Sequence, residues 1–112
     1  MSVSQSVVEY LRKNDLLLTT AESCTAGKIV TLLAEVPHSG ELIESGYVVY
    51  SPEAKQRLLN VSPETIERFN LTSCEVAQEM ALGALRDSTA NVAVATTGKQ
   101  AVVVVEFTLN NP

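Results

Sequence analysis

The chain has 112 residues, which suits one domain that buries roughly 60 to 70% of the surface its unfolded form would expose. Eight Lys and Arg against thirteen Asp and Glu give a net charge of −5, and the basic residues form no run, so the charge excludes nucleic acid as a partner. The amino-terminal residues lack a signal-peptide pattern, and no apolar run approaches the ~20 residues of a membrane span. These features predict a cytoplasmic protein with no membrane contact.

Apolar spacing divides the chain into alternating helical and extended segments. The predicted elements are a helix over 4–14, a strand over 16–20, a helix over 26–36, a strand over 46–50, a helix from 52, helices over 63–69 and 75–86, and strands over 91–96 and 101–107. This alternation predicts an α/β fold with three layers, α/β/α, around a mixed central sheet. No linker or repeat divides it, so a single domain over 1–112 is expected.

Three helix starts carry capping signals. The segments 51–53 and 62–64, both Ser-Pro-Glu, place a capping hydroxyl before a proline at the first helical position. Thr72 and Glu75 have the spacing of a capping box. Lys55 therefore falls in the first turn of its predicted helix.

The strand over 101–107 is a continuous apolar run of the kind found where both faces of a strand are covered. The chain offers little after it, so either a second subunit covers the strand or the domain is incomplete. We expect a homo-oligomer, a dimer or a larger assembly.

The segment 19–28, Thr-Thr-Ala-Glu-Ser-Cys-Thr-Ala-Gly-Lys, is the candidate reaction centre. It joins a predicted strand to a predicted helix, where the first helical N–H groups lack partners and the dipole is positive. Such a turn is expected to hold an anion or a developing oxyanion. Ser23 and Cys24 lie beside it as candidate nucleophiles.

The cysteines and the histidine give no ligand pattern. Cys24 and Cys74 are far apart in a chain without a secretory signal, so free thiols are expected rather than a disulfide. One histidine and two cysteines without ligand spacing predict no metal site.

Two strings resemble the C-terminal domain of the competence/damage-inducible protein CinA. They are Ala-Glu-Ser-Cys-Thr-Ala-Gly at 21–27 and Gly-Tyr-Val-Val-Tyr-Ser-Pro-Glu-Ala-Lys at 46–55. Further matches are Leu-Asn-Val at 59–61, Ser73 ahead of 79–85, and Ala-Val-Ala-Thr-Thr-Gly at 93–98. The matches run in order over residues 1 to about 98. Stand-alone members of that family are nicotinamide-nucleotide amidohydrolases.

The resemblance implies hydrolysis of the carboxamide of nicotinamide mononucleotide to nicotinate mononucleotide and ammonia, without a cofactor. The small-molecule partner would be this pyridine nucleotide. On matching positions, Ser23 is the nucleophile, Lys55 its general base, and Tyr50 a group near the reaction centre. The implied substrate-binding residues are Thr25, Ala26, Gly27, Ser73, Thr97 and Gly98.

A lysine accepts a serine proton only when enough of it is neutral near pH 7. A helix start and partial burial would both lower the pKa of Lys55, because each disfavours the ammonium form. The predicted helix start therefore suits the role that the resemblance implies.

The sequence also departs from the family pattern. Ala26 replaces the first of two usual glycines, His38 replaces a glycine, and Pro52 an asparagine. The family continues with Ile-Ala-Gly-Pro and further glycines, whereas Lys-Gln-Ala follows Gly98 here. The family's last strand and carboxy-terminal helix are also missing. The alternative function is therefore a catalytically impaired, truncated CinA-like protein that binds nucleotide or assembles.

Each candidate residue has a structural alternative. These are a helix cap for Ser23, a surface lysine for Lys55, a buried thiol for Cys24, a packing residue for Tyr50, helix caps for Thr72 and Ser73, and a turn for Thr97-Gly98. For His38 the functional interpretation is a Ser-His arrangement, and the alternative is a surface loop histidine.

Overall fold

In residues 1–106, which the computed structural model describes, five α-helices surround a four-stranded sheet. The helices are α1 (Val3–Lys13), α2 (Lys28–Ala34), α3 (Pro52–Leu59), α4 (Pro63–Phe69) and α5 (Cys74–Asp87). The strands are β1 (Leu18–Glu22), β2 (Ile43–Val48), β3 (Val92–Thr97) and β4 (Gln100–Val105), and a 3-10 turn at Gly40–Leu42 precedes β2.

The strand order is β2-β1-β3-β4, with β1 parallel to both neighbours and β4 antiparallel to β3. Because successive strand residues point to opposite faces, the sheet contributes side chains to two apolar clusters, one on each face. Ala21, Ala93 and Ala95 pack with α3 and α5 on one face. Leu18 and Val92 pack with α1 and α2 on the other face. The predicted three-layer α/β/α fold with a mixed sheet is confirmed.

No helix within residues 1–106 is both long and apolar enough to cross a membrane.

Two of the three predicted helix starts are confirmed. Ser51 Oγ accepts the Ala54 N–H at 2.9 Å at the start of α3, and Ser62 caps α4 in a similar way. The predicted capping box at 72–75 is wrong. Ser73 is the N-cap of α5, while the Thr72 hydroxyl donates to Asn70 and is not available to the helix.

The second strand begins and ends earlier than predicted. Ile43 and Ser45 already pair with β1, so β2 covers 43–48 rather than 46–50. Val49 and Tyr50 instead form the link to α3. This earlier end brings the start of α3 close to the end of β1.

Within residues 1–106 the chain itself covers only one face of the last strand, and the expectation that a second subunit covers the rest stays a prediction. In β4 the side chains alternate between half-buried and exposed, and Val103 is 63% exposed. The exposed side chains result from the place of β4 in the sheet, because β4 is the edge strand and only one of its faces packs closely on α5. Phe107, the predicted end of this strand, lies outside the described residues.

Helix α3 packs directly against α5 at Gly83. A Cβ atom built at Gly83 would lie 1.9 Å from the carbonyl oxygen of Leu59, the last residue of α3. This backbone contact fixes how close α3, which carries Lys55, lies to the rest of the fold.

Candidate active site

The candidate site lies where the parallel strands β1 and β2 end. Glu22 and Val48 are paired at that edge, so Ser23 follows β1 just where the chain leaves β2 toward α3. The Ser23 N–H donates to the Thr96 carbonyl of β3 at 3.0 Å, and the Val49 N–H donates to the Glu22 carbonyl at 2.9 Å. Backbone bonds to both neighbouring strands therefore fix Ser23.

Lys55 reaches Ser23 from the first turns of α3. Its side chain is completely buried, and Nζ lies 3.0 Å from Ser23 Oγ. Nζ also donates to the carbonyl oxygens of Tyr50 at 2.9 Å and Val49 at 3.4 Å. Burial lowers the pKa of Lys55, and the Coulombic interaction with Cys24 opposes this to a lesser degree.

These contacts are compatible with both charge states of Lys55. A neutral amine has two N–H donors and one lone pair, whereas the ammonium form has three donors and no acceptor. The ammonium form donates to all three oxygens, those of Ser23, Val49 and Tyr50. In the neutral form the two donors can stay on the two carbonyls, which leaves the lone pair to accept the Ser23 proton. Neither ion pair found among residues 1–106 involves Lys55, so no carboxylate stabilises its charged form there. The arrangement therefore fits proton transfer from Ser23 to Lys55.

The carboxylate of Glu22 fills the amino-terminal end of α2. Glu22 is completely buried; Oε1 accepts the Ile29 N–H at 3.0 Å, and Oε2 accepts the Val30 N–H at 3.1 Å. The expectation that these first helical N–H groups are open to an anion is wrong. The physical reason is that a carboxylate from the chain itself already meets the positive helix end.

The turn itself retains other donors. The backbone N–H groups of Cys24, Thr25 and Gly27 make no hydrogen bond to any group within the described range 1–106. They follow Ser23 directly. They replace the α2 N–H groups as candidate donors to an oxyanion at this site.

The hydroxyls of Thr25 and Thr96 form a hydrogen-bonded chain that ends on the Glu22 carboxylate and supports the turn. Thr25 Oγ1 donates its single hydrogen to Glu22 Oε1 at 2.6 Å. Thr96 Oγ1, which lies 2.8 Å from Thr25 Oγ1, must therefore be the donor in that second hydrogen bond. Glu22 and Thr96 were missed as site residues by the sequence analysis. An acid at the end of a buried strand, directly before a helix, was the available signal for Glu22.

A family model of the CinA C-terminal domain matches residues 1–101. The chain belongs to the CinA C-terminal domain family. The resemblance read from the strings at 21–27 and 46–55 is thereby confirmed.

Relatives and solved structures agree with this assignment. The chain is 42% identical over 97 residues to a CinA-like protein of Chlorobium phaeovibrioides, covering 87% of this chain and 23% of the relative. It is 36% identical to Protein YdeJ of Escherichia coli, covering 87% of this chain and 56% of YdeJ. Among solved structures, the competence/damage inducible protein CihA of Agrobacterium tumefaciens matches with a TM-score of 0.81 and 39% identity, covering 85% of this chain and 58% of that chain.

A CinA superfamily protein of Escherichia coli matches with a TM-score of 0.80 and 27% identity, covering 96% of this chain and 76% of that chain. The chain thus spans about a quarter of the length of the CinA-like relative and over half that of YdeJ.

The other residues implied by the CinA resemblance make mainly structural contacts. Tyr50 is 59% exposed and contributes its carbonyl oxygen to Lys55. Ser73 caps α5, and the buried Thr97 hydroxyl donates to the Leu71 carbonyl at 3.1 Å. Gly98 has φ +58° in the turn between β3 and β4. No hydrogen bond in residues 1–106 joins Ser73, Thr97 or Gly98 to the Ser23 and Lys55 side chains.

The cysteines and His38 are at the surface. Cys24 and Cys74 are free, as predicted, and both are exposed, so the interpretation of Cys24 as a buried thiol is wrong. His38 is an exposed loop residue whose carbonyl accepts a hydrogen bond from Arg12. Across the described part of the chain, no group of His, Cys, Asp or Glu is arranged to hold a metal ion.

The departure from the CinA pattern at Ala26 coincides with backbone strain. Ala26 has φ +55°, followed by Gly27 at φ +88°, so an alanine occupies a left-handed position that suits glycine. A left-handed alanine costs about 1–2 kcal/mol, and the extra freedom of an unfolded glycine costs about 0.5–1 kcal/mol.

Ala26→Gly is therefore expected to raise the free energy of unfolding by about 0.5–1 kcal/mol in urea titrations. The matched variant Ala34→Gly, in α2, is expected to lower the same quantity by about 0.5–1 kcal/mol. Equal losses in both variants would show that the strain at Ala26 costs nothing.

Proposed function

We propose that this chain is an amidohydrolase that converts nicotinamide mononucleotide and water to nicotinate mononucleotide and ammonia. The observation that carries the proposal is the 3.0 Å contact between the buried Lys55 Nζ and Ser23 Oγ. A buried amine with a lowered pKa beside a serine hydroxyl is an activated nucleophile pair. Membership of the CinA family, with the resemblance at 21–27 and 46–55, suggests the nucleotide substrate.

The reaction would proceed through an acyl-enzyme. Neutral Lys55 takes the proton of Ser23 Oγ as the oxygen attacks the carboxamide carbon, and the carbonyl oxygen becomes an oxyanion. Lys55 then gives this proton to the amide nitrogen, the C–N bond breaks, and ammonia leaves an ester on Ser23. A water molecule next attacks the ester while Lys55 takes its proton. Collapse releases the nicotinate product, and Lys55 returns the proton to Ser23 Oγ.

The residues around the pair have defined parts in this proposal. The N–H groups of Cys24, Thr25 and Gly27 would stabilise the oxyanion. Tyr50 is 59% exposed and its carbonyl oxygen accepts from Lys55, and in this proposal its ring would pack against the pyridine ring. Glu22 would hold the nucleophile turn by binding Thr25 and the start of α2.

The decisive experiment measures ammonia and nicotinate mononucleotide released from nicotinamide mononucleotide by the purified chain and by two variants. Ser23→Ala is expected to lower kcat by at least about a thousandfold, because no other hydroxyl contacts Lys55 Nζ in the described residues. Cys24→Ala, which removes the neighbouring thiol, is expected to retain activity. Activity that survives in Ser23→Ala but disappears in Cys24→Ala would assign the nucleophile to the thiol instead.

The pH dependence of kcat/KM should report the ionisation of Lys55. The base is active when neutral, so kcat/KM is expected to rise with pH and to level off above a midpoint below the ordinary lysine value of 10.5. Because the Coulombic interaction with Cys24 raises the pKa of Lys55, Cys24→Ser should move this midpoint to lower pH. A rate that falls through the same range would contradict a lysine base.

The alternative is a nucleotide-binding or assembly module without turnover. The observation in its favour is Glu22, whose carboxylate occupies the N–H groups at the amino-terminal end of α2 and so removes them as donors to an oxyanion. Folded wild-type protein that binds nicotinamide mononucleotide by calorimetry, but releases no ammonia, would support this alternative.

A further inference from the structure

Strand β4 leaves one row of backbone groups unused at the edge of the sheet. The Glu106 N–H donates to the Asn91 carbonyl at 2.8 Å, and the register pairs Val104 with Ala93 and Val102 with Ala95. In an antiparallel ladder, hydrogen-bonded pairs alternate with pairs that are not bonded, so the even-numbered β4 residues face β3.

The hydrogen bonds of β3 lead to the same assignment of inward-facing and outward-facing β4 residues. The Thr96 carbonyl and the Val92 N–H bond toward β1, which leaves the odd-numbered β3 residues to face β4. The N–H and C=O groups of Ala101, Val103 and Val105 therefore point away from the sheet. Within residues 1–106 no strand lies beyond them.

This edge lacks two features that commonly keep edge strands apart, charge and proline. Gln100–Val105 contains no charge and no proline, and the side chains of Ala101, Val103 and Val105 are exposed. On the same face, Val3 and Val7 of α1 and Leu32 of α2 join Val103 and Val105 around an apolar cavity of about 440 Å³. The unused hydrogen bonds and the apolar surface thus lie side by side.

We propose that β4 pairs antiparallel with β4 of a second copy of this chain, about a two-fold axis at Val103. Two four-stranded sheets would then join into one continuous sheet. In this register Val103 lies opposite Val103 of the partner subunit, and Ala101 lies opposite Val105 of the partner subunit. Every outward N–H and C=O of Ala101, Val103 and Val105 then finds a reciprocal partner.

In this register the side chains of one β4 lie opposite side chains of similar character in β4 of the second copy. Val102 would lie opposite Val104 of the partner subunit on the α5 face, so every opposed pair at the centre is apolar. Lys99 and Glu106 flank the strand at opposite ends. Antiparallel pairing puts Lys99 at the same end of the joined strands as Glu106 of the partner subunit, one register position apart and on the opposite face, whereas parallel pairing would place Lys99 directly opposite Lys99 of the partner subunit. This self-complementarity favours a second copy over an unrelated partner.

The test begins with the mass of the wild-type chain in solution, measured by size-exclusion chromatography with light scattering over a dilution series. A dimer is expected. Val103→Lys and Val103→Glu each place like charges against one another at the axis, so each variant alone is expected to be a monomer. Mixing the two variants is expected to restore a dimer, because Lys then faces Glu.

Controls separate loss of the interface from loss of the fold. Residue 103 does not bond to β3 and is exposed, so both variants should keep the circular dichroism of the wild type. Leu58→Lys puts the same charge on an exposed apolar residue of α3 and is expected to remain a dimer.

Amide exchange places the contact on the edge of β4. The N–H groups of Ala101 and Val105 should be protected in the wild type and exchange rapidly in Val103→Lys. Those of Val102 and Val104, which bond to β3, should be protected in both. A wild type that is a monomer throughout the dilution series would overturn the proposal. So would an assembly of any size that survives Val103→Lys, or a mixture of the two variants that stays monomeric.

Discussion

Replacing Lys55 by methionine is expected to lower kcat by about 10²–10⁴-fold, the usual contribution of a general acid–base group. Methionine fills a similar volume but has no nitrogen to accept the Ser23 proton. Lys55 Nζ lies 3.0 Å from Ser23 Oγ, and its pKa is lowered by burial, so the present side chain is suited to that transfer. The measurement is steady-state release of ammonia from nicotinamide mononucleotide, with kcat and KM determined separately.

Two further variants make this prediction specific. Lys55→Arg keeps a cation that cannot lose its proton, so it should be as inactive as the methionine variant if Lys55 is a base. Lys13→Met removes an exposed lysine of α1 and should leave kcat unchanged. Activity retained in Lys55→Arg would show that Lys55 supplies charge rather than proton transfer. Circular dichroism of each variant establishes that it is folded.

Gly83→Ala is expected to lower the free energy of unfolding by about 3 kcal/mol, the upper end of overpacking effects in a close-packed interior. The new Cβ would lie 1.9 Å from the Leu59 carbonyl oxygen and 2.8 Å from its Cα. These are backbone atoms, which have no rotamer to change, so α3 itself must move away from α5. The gain in helix propensity, about 1 kcal/mol, is too small to offset this. Urea unfolding followed by circular dichroism measures the loss.

The control for this variant is Gly40→Ala. A Cβ at Gly40 would meet no atom within 4 Å, so the free energy of unfolding should change by less than about 1 kcal/mol. Because α3 carries Lys55, the shift in Gly83→Ala should also reduce kcat while the protein remains folded at low temperature. If Gly83→Ala and wild type had equal free energies of unfolding, α3 would be able to move away from α5 at no cost, which would contradict the prediction.

Local signals in the sequence predicted most elements of the fold. The Ser-Pro-Glu segments at 51–53 and 62–64 set the starts of α3 and α4 because all the interacting groups lie within four residues of one another. Where two local interactions compete, the sequence was less informative. Asn70 binds the Thr72 hydroxyl, which shifts the cap of α5 to Ser73. The exposure of one face of β4 depends on sheet order, which no local pattern records.

The candidate site was predicted only in part because its contacts are distant in sequence. Spacing alone could not bring Lys55 to Ser23, and the family resemblance suggested the pair. Glu22 was missed because its partners, the N–H groups of Ile29 and Val30, reach it only after the intervening turn has folded. Thr96 was missed because it meets Thr25 only through the pairing of β1 with β3.

The hydrogen bond from the Ser23 N–H to the Thr96 carbonyl has a consequence for biosynthesis. A growing chain that has emerged only through α3 already contains both Ser23 and Lys55. Glu22 and the Val49 N–H can hold the turn from the side of α2 and β2, but its anchor to β3 forms only when β3 has been translated and has inserted beside β1. Translation order therefore delays the last backbone anchor of Ser23 until most of the sheet exists.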